Sequence, residues 1–173
     1  MKKELASKAD ALEQYQRLNS VRIYGIHETG DDNEDTTLVV TRMLDSKLKL
    51  NIKPTDIDIS HRLGVASEGK PRPIIVRFLR REDRLKALRS RKNLKGSGIS
   101  IHPDLTRPRA ALFKQESTKL KEKNIKVWVD FSGRIFREPM GTEKRNTNLK
   151  RVELFPRKFP GIYGTDEVDF SNM

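Results

Sequence analysis

The arginine and lysine side chains of residues 62–98 are the part of this chain whose type and density most clearly indicate chemistry. This segment has 12 basic and 3 acidic residues, whereas residues 1–61 have 9 basic and 11 acidic ones. Cationic groups at this density attract polyanions, because they neutralise the polymer's charges and release its counterions. We therefore expect this segment to contribute to a polyanion-binding surface; a merely solvated basic face is the alternative.

The composition of the whole chain is that of a basic protein with a modest core. Its 173 residues carry a formal net charge of +12, and charged and hydrophobic residues each make up 35%. The absence of cysteine excludes a disulfide scaffold, a thiolate metal site and a cysteine nucleophile. No apolar run is long enough to predict a membrane span, and Met1–Asp10 is too charged for a signal peptide. We expect an intracellular protein that does not enter a membrane.

Enzyme chemistry has little support in the sequence. There is no Walker A run, no Gly-x-Ser-x-Gly elbow and no zinc-ligand spacing. The three histidines, at positions 27, 61 and 102, fall on separate predicted elements, where surface or strand histidines are expected. The acidic residues of 31–35 lack the spacing of a calcium loop and fit a solvated loop before a helix. We therefore predict no catalytic residue, no metal site and no cofactor.

The apolar pattern predicts four strands and two helices between residues 21 and 104. Period-two alternation and helical spacing predict strands at 21–26, 57–63, 72–79 and 99–101, and helices at about 36–50 and 81–94. Asp35, followed by Thr36, is suited to cap the first of these helices. The order strand, helix, strand, strand, helix, strand is the split βαβ pattern. It predicts a ferredoxin-like α+β domain, in which two helices cover one face of a four-stranded antiparallel sheet and leave the other open.

Shorter elements are predicted before and after this domain. Leu5 and Leu12 are one heptad apart, with Tyr15 nearby, which fits either the end of a coiled coil or a frayed helical lead-in. A helix ending near Lys123 and a hairpin turning at Ser132-Gly133 follow the domain. The predicted organisation is a helical or coiled-coil remnant at 1–20, the four-stranded domain at 21–104, a small helix–hairpin domain at 105–140 and an extended, partly ordered tail at 141–173.

Strand alternation places several cationic side chains on the open face of the predicted sheet. If Val21 faces the helices, Arg22 and Tyr24 face outward, and the same argument places Arg77 outside. Arg62 and His102 are expected to join them from the neighbouring strands. RNA recognition motifs stack bases on aromatic side chains of this face, but only Tyr24 remains here as a stacking platform. Binding should therefore depend on contacts between guanidinium groups and phosphates, with little readout of bases.

Further arginines come from the small unit that follows. If that unit docks beside the open face, its arginines at the start of the third helix and on the hairpin converge with those of the sheet. By contrast, Arg84, Lys86 and Arg89 are expected on the exposed surface of the second helix, where replacement should leave stability nearly unchanged. The candidate nucleic-acid-binding residues are Arg22, Tyr24, Arg62, Arg72, Arg77, Arg80, Arg81, Arg107, Arg109, Arg134 and Arg137.

Several short runs, in order along residues 12–137, match a known family. They are Leu12-Glu-Gln-Tyr, Val21-Arg-Ile-Tyr-Gly-Ile-His-Glu28, Ser60-His-Arg-Leu-Gly64, Lys70-Pro-Arg-Pro-Ile-Ile-Val-Arg-Phe-Leu-Arg-Arg-Glu-Asp83, Leu94-Lys-Gly96, Asp104-Leu-Thr106 and Leu120-Lys-Glu-Lys-Asn-Ile125. Together they resemble the first-ORF proteins of LINE-type retrotransposons. The later half, including Gly133-Arg-Ile-Phe136, is also similar, more distantly, to the baculovirus few-polyhedra protein.

The resemblance implies a coiled coil, a noncanonical RNA recognition motif and a small C-terminal domain. It also implies sequence-tolerant binding of single-stranded RNA and nucleic-acid chaperoning by a homotrimer, in a ribonucleoprotein particle of the cytoplasm or nucleus. Residues 1–20 supply at most two heptads, so we expect a monomer or weak self-association through the N-terminal helix. The expected partner is single-stranded RNA or DNA. The alternative function is a scaffold whose basic face binds an acidic protein or a viral assembly.

Overall fold

The chain forms an α+β structure with two compact units, each built around an antiparallel sheet. The residues described by the computed structural model are 2–30, 33–65, 69–121, 125–139 and 152–155. The central unit consists of residues 15–105 with 131–133, and the terminal unit of the described residues in 1–14, 106–130 and 134–173. The predicted α+β class, with an N-terminal helix, is confirmed.

The central unit contains a four-stranded sheet and two helices. Helix α1 (Lys2–Gln16) opens the described chain, and the elements of the central unit then follow as β1 (Ser20–Tyr24), α2 (Thr36–Leu48), β2 (Ile57–Arg62), β3 (Ile74–Phe78), α3 (Arg81–Ser90) and β4 (Ser100–Pro103). Three 3₁₀ turns connect them, at Arg17–Asn19, Pro54–Asp56 and Arg91–Leu94. The order across the sheet is β2-β3-β1-β4, and every neighbouring pair is antiparallel.

The core of the central unit lies between the two helices and one face of the sheet. The predicted alternation of β1 and β3 is confirmed, since Val21, Ile23, Ile74, Val76 and Phe78 are all buried. From the helices the core receives mainly aliphatic side chains: Val40, Met43, Leu44, Leu48, Ala87 and Leu88. Burial of each large aliphatic side chain contributes about 1.5–3 kcal/mol relative to exposure. This packing holds the opposite face of the sheet in place.

Helix α2 begins and ends at residues whose local chemistry explains its limits. The Asp35 carboxylate accepts a hydrogen bond from the Leu38 N–H at 3.0 Å, as the sequence predicted for an N-cap. Lys49 adopts a left-handed conformation with φ of 55°, and its N–H donates to the Asp45 carbonyl. The helix therefore ends at Leu48 instead of continuing to residue 50.

A β-bulge at the start of β2 changes which side chains of this strand face the helices. Ile57 pairs with Phe78 of β3, but the next paired residue is Ile59, opposite Arg77. The extra residue reverses the alternation, because a one-residue slip moves every later side chain to the other face. Ser60 consequently faces α2, where its hydroxyl hydrogen-bonds to the Thr36 hydroxyl at 2.7 Å.

Gly25 ends β1 one residue before the isoleucine that the sequence pattern included in the strand. Its φ is +85°, and a Cβ there would lie 2.0 Å from the Gly98 carbonyl oxygen. Only glycine tolerates both this conformation and this approach. The close contact brings the end of β1 beside the start of β4, where Tyr24 pairs with Ser100.

The terminal unit contains a second helix and a three-stranded sheet. Its elements after α1 are α4 (Arg107–Lys121), β5 (Ile125–Val129), β6 (Ile135–Pro139) and β7 (Val152–Phe155). The strand order is β5-β6-β7, and both pairs are antiparallel. The predicted hairpin is confirmed, with Trp128 stacked on Phe136 at a centroid distance of 4.7 Å. Apart from β7, the predicted tail at 141–173 lies outside the described residues.

Candidate nucleic-acid interface

One face of the four-stranded sheet is not covered by the helices of the central unit. Helix α2 packs on β2 and α3 packs on β3 and β4, all on the side of the buried core. Alternation and register place one set of mostly exposed side chains on the other side. We call this surface the open face: it consists of Ile59 and His61 on β2, Ile75 and Arg77 on β3, Arg22 and Tyr24 on β1, and His102 on β4.

Two rings lie next to each other on the open face. Tyr24, which is 40% exposed, meets His102 edge to face at a centroid distance of 5.7 Å. Burial, and then the positive charge of Arg91, lower the pKa of His102 below its ordinary 6.5. The imidazole is therefore neutral at pH 7 and offers a flat π surface rather than a charge. Strand alternation predicts the outward position of both residues, but only Tyr24 is expected from the sequence as a stacking platform. The contact between the two rings depends on the pairing of β1 with β4, which alternation does not reveal.

Two arginines of the open face remain accessible. Arg77 is about half exposed, and its Nε lies 3.3 Å from the exposed Asp58 carboxylate. Such an exposed ion pair contributes little and is readily exchanged for another anion. Arg22 donates from Nε to Asp104 at 2.6 Å and is 32% exposed. The predicted outward position of Arg22, Tyr24 and Arg77 is confirmed.

The prediction that Arg62 joins the open face is wrong. After the bulge in β2, Arg62 pairs with the inward-facing Ile74, and its side chain is only 6% exposed. Its guanidinium donates to both Glu34 oxygens, at 2.8 and 2.9 Å. It also donates to the carbonyls of Ile26, His27 and Arg72. Arg62 therefore fastens the loop after β1 to the sheet and has no surface available for a ligand.

Arg72 is held by a carboxylate of the same loop. Glu28 accepts hydrogen bonds from the Arg72 backbone N–H at 2.8 Å and from its Nη2 at 2.7 Å. These bonds to Arg72 lower the pKa of Glu28 from 4.5 to about 2. The Arg72 side chain is 32% exposed, like that of Arg22, but its charge is compensated by the Glu28 carboxylate, whereas Arg22 shares Asp104 with a second arginine, Arg17. Arg72 is thus a weaker candidate for phosphate binding than its place in the basic segment indicated.

The basic residues of the helical side divide into one buried arginine and several exposed side chains. Arg84 is 0% exposed, and its Nε donates to the Ser20 carbonyl at 3.4 Å, so the prediction that it lies on the helix surface is wrong. Its aliphatic stem packs in the interior, and its replacement would leave a cavity. The exposed basic side chains near α3 are Arg80, Arg81, Lys86, Arg89, Lys92 and Lys95.

The arginines of the terminal unit also differ in accessibility. Arg107 and Arg134 are exposed, and Arg137 is partly buried on β6. Arg134 closes its turn by donating to the Asp130 carboxylate at 2.7 Å. Arg109, however, is only 4% exposed, so its assignment to a binding surface is wrong.

The cause of this burial is a hydrogen-bond network between α1 and the start of α4. Asp10 of α1 accepts hydrogen bonds from Arg109 Nε at 2.7 Å and from the Thr106 hydroxyl. Gln14, one turn later, accepts the Thr106 backbone N–H at 3.0 Å. Helix α1 thereby satisfies donors at the N-terminus of α4, which local sequence does not reveal. The predicted convergence of terminal-unit arginines with the sheet stays a prediction.

Within the part of the chain that the structure describes, neither a metal-binding cluster nor a membrane-spanning helix is found. No group of three or more histidine, aspartate or glutamate side chains there is arranged to hold a metal. None of the described helices combines the length and the apolar character that crossing a bilayer requires. The acidic pair at positions 31 and 32 lies outside the described residues.

No protein-family model matches this chain, and no curated protein matches it either.

Proposed function

We propose that this protein binds single-stranded RNA or DNA on the open face, with low sequence preference. The observation that carries the proposal is the accessible Tyr24–His102 ring pair beside Arg22. Accessible aromatic rings and arginines on an uncovered sheet are a combination with which single-stranded nucleic acids are bound: bases stack on rings, and guanidinium groups contact the backbone.

The positions of these groups favour one strand lying across the sheet. Arg22, Ile75 and His102 are directly paired in register on three adjacent strands, so they form one row across the open face. Tyr24 lies two residues further along β1, or roughly 7 Å away at the usual rise of a strand. A base on the rings and a phosphate at the arginine can therefore belong to neighbouring nucleotides of one strand.

The chemistry of the open face favours tolerance of sequence. Its seven positions contain no asparagine or glutamine, the side chains that read adenine most directly. Stacking accepts any base, and phosphate contacts carry no sequence information. We expect affinity to fall steeply with salt, by a log–log slope near −0.7 for each phosphate contacted.

The topology is consistent with a more specific assignment. The chain order β1-α2-β2-β3-α3-β4, with the sheet order β2-β3-β1-β4, supports the proposal of a ferredoxin-like RNA recognition motif. With the resemblance to LINE-type first-ORF proteins, this supports a role as a nucleic-acid chaperone in the ribonucleoprotein particle of a retroelement. Self-association through α1, whose Leu5 and Leu12 are exposed, belongs to the same proposal.

Removing the Tyr24 ring is the direct test of the stacking platform. We expect Tyr24→Ala to weaken binding of a short oligouridine by roughly tenfold, since stacking of one base on an aromatic ring contributes about 1–3 kcal/mol. Tyr24→Phe keeps the ring and should bind within about twofold of wild type, because no base readout is assigned to the hydroxyl. Fluorescence anisotropy with labelled RNA measures these affinities.

Tyr15→Ala is the matched control for this substitution. Tyr15 is exposed in helix α1 and is not among the candidate nucleic-acid-binding residues, so its loss should leave affinity unchanged. If Tyr24→Ala and Tyr15→Ala bind the RNA equally well, the rings of the open face do not stack on bases and the proposed binding mode is wrong.

A further inference from the structure

A buried carboxylate at one end of the open face holds two arginines that sequence analysis did not connect. Asp104, directly after β4, accepts hydrogen bonds from Arg17 Nη1 at 2.8 Å and from Arg22 Nε at 2.6 Å. Its own backbone N–H donates to the Ser20 carbonyl at 3.4 Å, which fixes it beside the start of β1. The Asp104 side chain is 2% exposed, whereas those of Arg17 and Arg22 are 28% and 32% exposed.

The accessibility of these arginines distinguishes the cluster from the buried networks of Arg62 and Arg109. In the two networks that fasten elements together, the guanidinium is hidden: Arg62 is 6% and Arg109 is 4% exposed. Around Asp104 only the carboxylate is hidden, and about a third of each arginine side chain is exposed. The buried Asp104 carboxylate needs a cationic partner, but a single arginine supplies that charge, and the second arginine leaves the cluster with an excess of positive charge.

The arrangement does prepare two cationic groups for an anion. Two like charges brought close together repel each other, and the Asp104 carboxylate compensates for this while leaving a net charge of +1. Arginine forks match the geometry of phosphate oxygens, and each can donate two parallel hydrogen bonds. Holding two long side chains in advance also removes much of the entropy lost when they are ordered by a ligand.

We propose that Arg17 and Arg22 form a clamp for one backbone phosphodiester of the bound strand, and that Asp104 is a positioning residue for both arginines. This inference rests on the proposed function, since the clamp lies at the end of the open face that carries Arg22. It adds Arg17 and Asp104 to the binding site and assigns the acidic residue a favourable effect on the binding of a polyanion.

Asp104→Asn distinguishes a positioning role of Asp104 from a purely long-range electrostatic one. The two roles predict opposite changes in RNA affinity. Removing a negative charge should tighten RNA binding if only the overall field matters. If Asp104 positions the arginines, the same change weakens oligouridine binding by about fivefold or more, because two long side chains must then be ordered on binding. Tighter binding by Asp104→Asn would overturn the clamp.

Asp58→Asn is the matched control, because Asp58 also lies beside an open-face arginine but is itself exposed. This variant should bind the RNA like wild type or up to about fivefold tighter, the effect of losing a weak exposed ion pair. A loss of affinity as large as that of Asp104→Asn would mean that any carboxylate beside the face supports binding. That result would also overturn the specific role of Asp104.

Arg17→Lys keeps the proposal falsifiable should Asp104→Asn fail to fold. Lysine preserves the charge but not the fork, so we expect about fivefold weaker binding with an unchanged melting temperature. Arg42→Lys, at an exposed position of helix α2, should bind like wild type. Equal affinity of Arg17→Lys and Arg42→Lys would overturn the clamp.

The same titration separates failure of the clamp from failure of the proposed function. If wild-type protein binds oligouridine and the Arg17 and Asp104 variants bind equally well, only the clamp is wrong. If wild-type protein does not bind it, both are wrong. Oligonucleotides with a 5′-hydroxyl or a 5′-phosphate identify the phosphate: an equal effect of Arg17→Lys on both is expected for a phosphodiester. An effect confined to the 5′-phosphate would replace the backbone clamp by an end-binding site.

Discussion

Replacing Arg62 by alanine is expected to lower the free energy of unfolding of the central unit by about 3–5 kcal/mol. The substitution removes five hydrogen bonds and leaves the Glu34 carboxylate, whose side chain is largely buried, without its guanidinium partner. Arg62→Lys should recover little of this loss, because a single ammonium group cannot reproduce the fork between Glu34 and three carbonyls. Urea denaturation followed by far-ultraviolet circular dichroism measures the change.

The adjacent strand offers a matched control for Arg62. Arg77→Ala removes an exposed arginine whose ion pair is long and solvated, so stability should change by less than about 0.5 kcal/mol.

Since Arg62 holds the pKa of Glu34 below its ordinary 4.5, the pair stabilises the fold at neutral pH. This contribution is lost as the pH falls through the lowered pKa. The free energies of unfolding of wild type and Arg62→Ala should therefore approach each other at low pH. A typical point substitution lowers the free energy of unfolding by about 1 kcal/mol. If Arg62→Ala lowers it by no more than this at pH 7, the structural role assigned to Arg62 is contradicted.

Asp10→Ala is expected to destabilise the terminal unit by about 3 kcal/mol. The carboxylate is the buried acceptor for Arg109 Nε and for the Thr106 hydroxyl, so its loss removes an ionic partner of a buried guanidinium. Trp128, the only tryptophan of the chain, lies in β5 of this unit, and its fluorescence during urea denaturation reports the effect.

Glu4→Ala is the control on the same helix. Glu4 makes an exposed pair with Lys8 one turn away, which contributes no more than about 0.5 kcal/mol. If the fluorescence midpoints of Asp10→Ala and Glu4→Ala coincide, the contact between α1 and α4 does not stabilise the terminal unit.

Local patterns in the sequence were sufficient to predict most elements of the central unit. Alternation identified the inward faces of β1 and β3, and Asp35 was recognised as the cap of α2. The failures share one cause, which is that they depend on contacts distant in the chain. The bulge between Ile57 and Ile59 exchanges the two faces of the later residues of β2 and moves Arg62 inside. It is visible only in the pairing with β3.

The two other misplaced arginines have the same explanation. Arg84 is buried because it reaches the carbonyl of Ser20, and Arg109 because it meets Asp10 near the other end of the chain. Neither partner produces a periodic signal near the arginine, so charge alone indicated an exposed position. The outward position of the candidate side chains was therefore predicted correctly on β1 and β3, where alternation is regular, and incorrectly where tertiary contacts override it.

The most direct test of the open face compares two double variants that remove equal charge from opposite sides of the sheet. Arg22→Ala with Arg77→Ala changes the open face, and Arg89→Ala with Lys92→Ala changes the exposed helical side. At about 0.15 M salt, charges more than about 8 Å away are largely screened, so the helical pair should act weakly. Both double variants are titrated with the same oligouridine over a range of salt concentrations.

We expect the open-face pair to lose about tenfold more affinity than the helical pair. Its log–log salt slope should also become shallower by about 1.4, because two phosphate contacts are lost from a single strand. Equal losses by the two pairs would mean that binding is a diffuse electrostatic effect without a defined face. No loss by either pair would mean that the RNA binds elsewhere on the chain, and would contradict the assignment of single-stranded nucleic acid to this sheet. Absence of binding by the wild-type protein would favour a scaffold that binds an acidic protein.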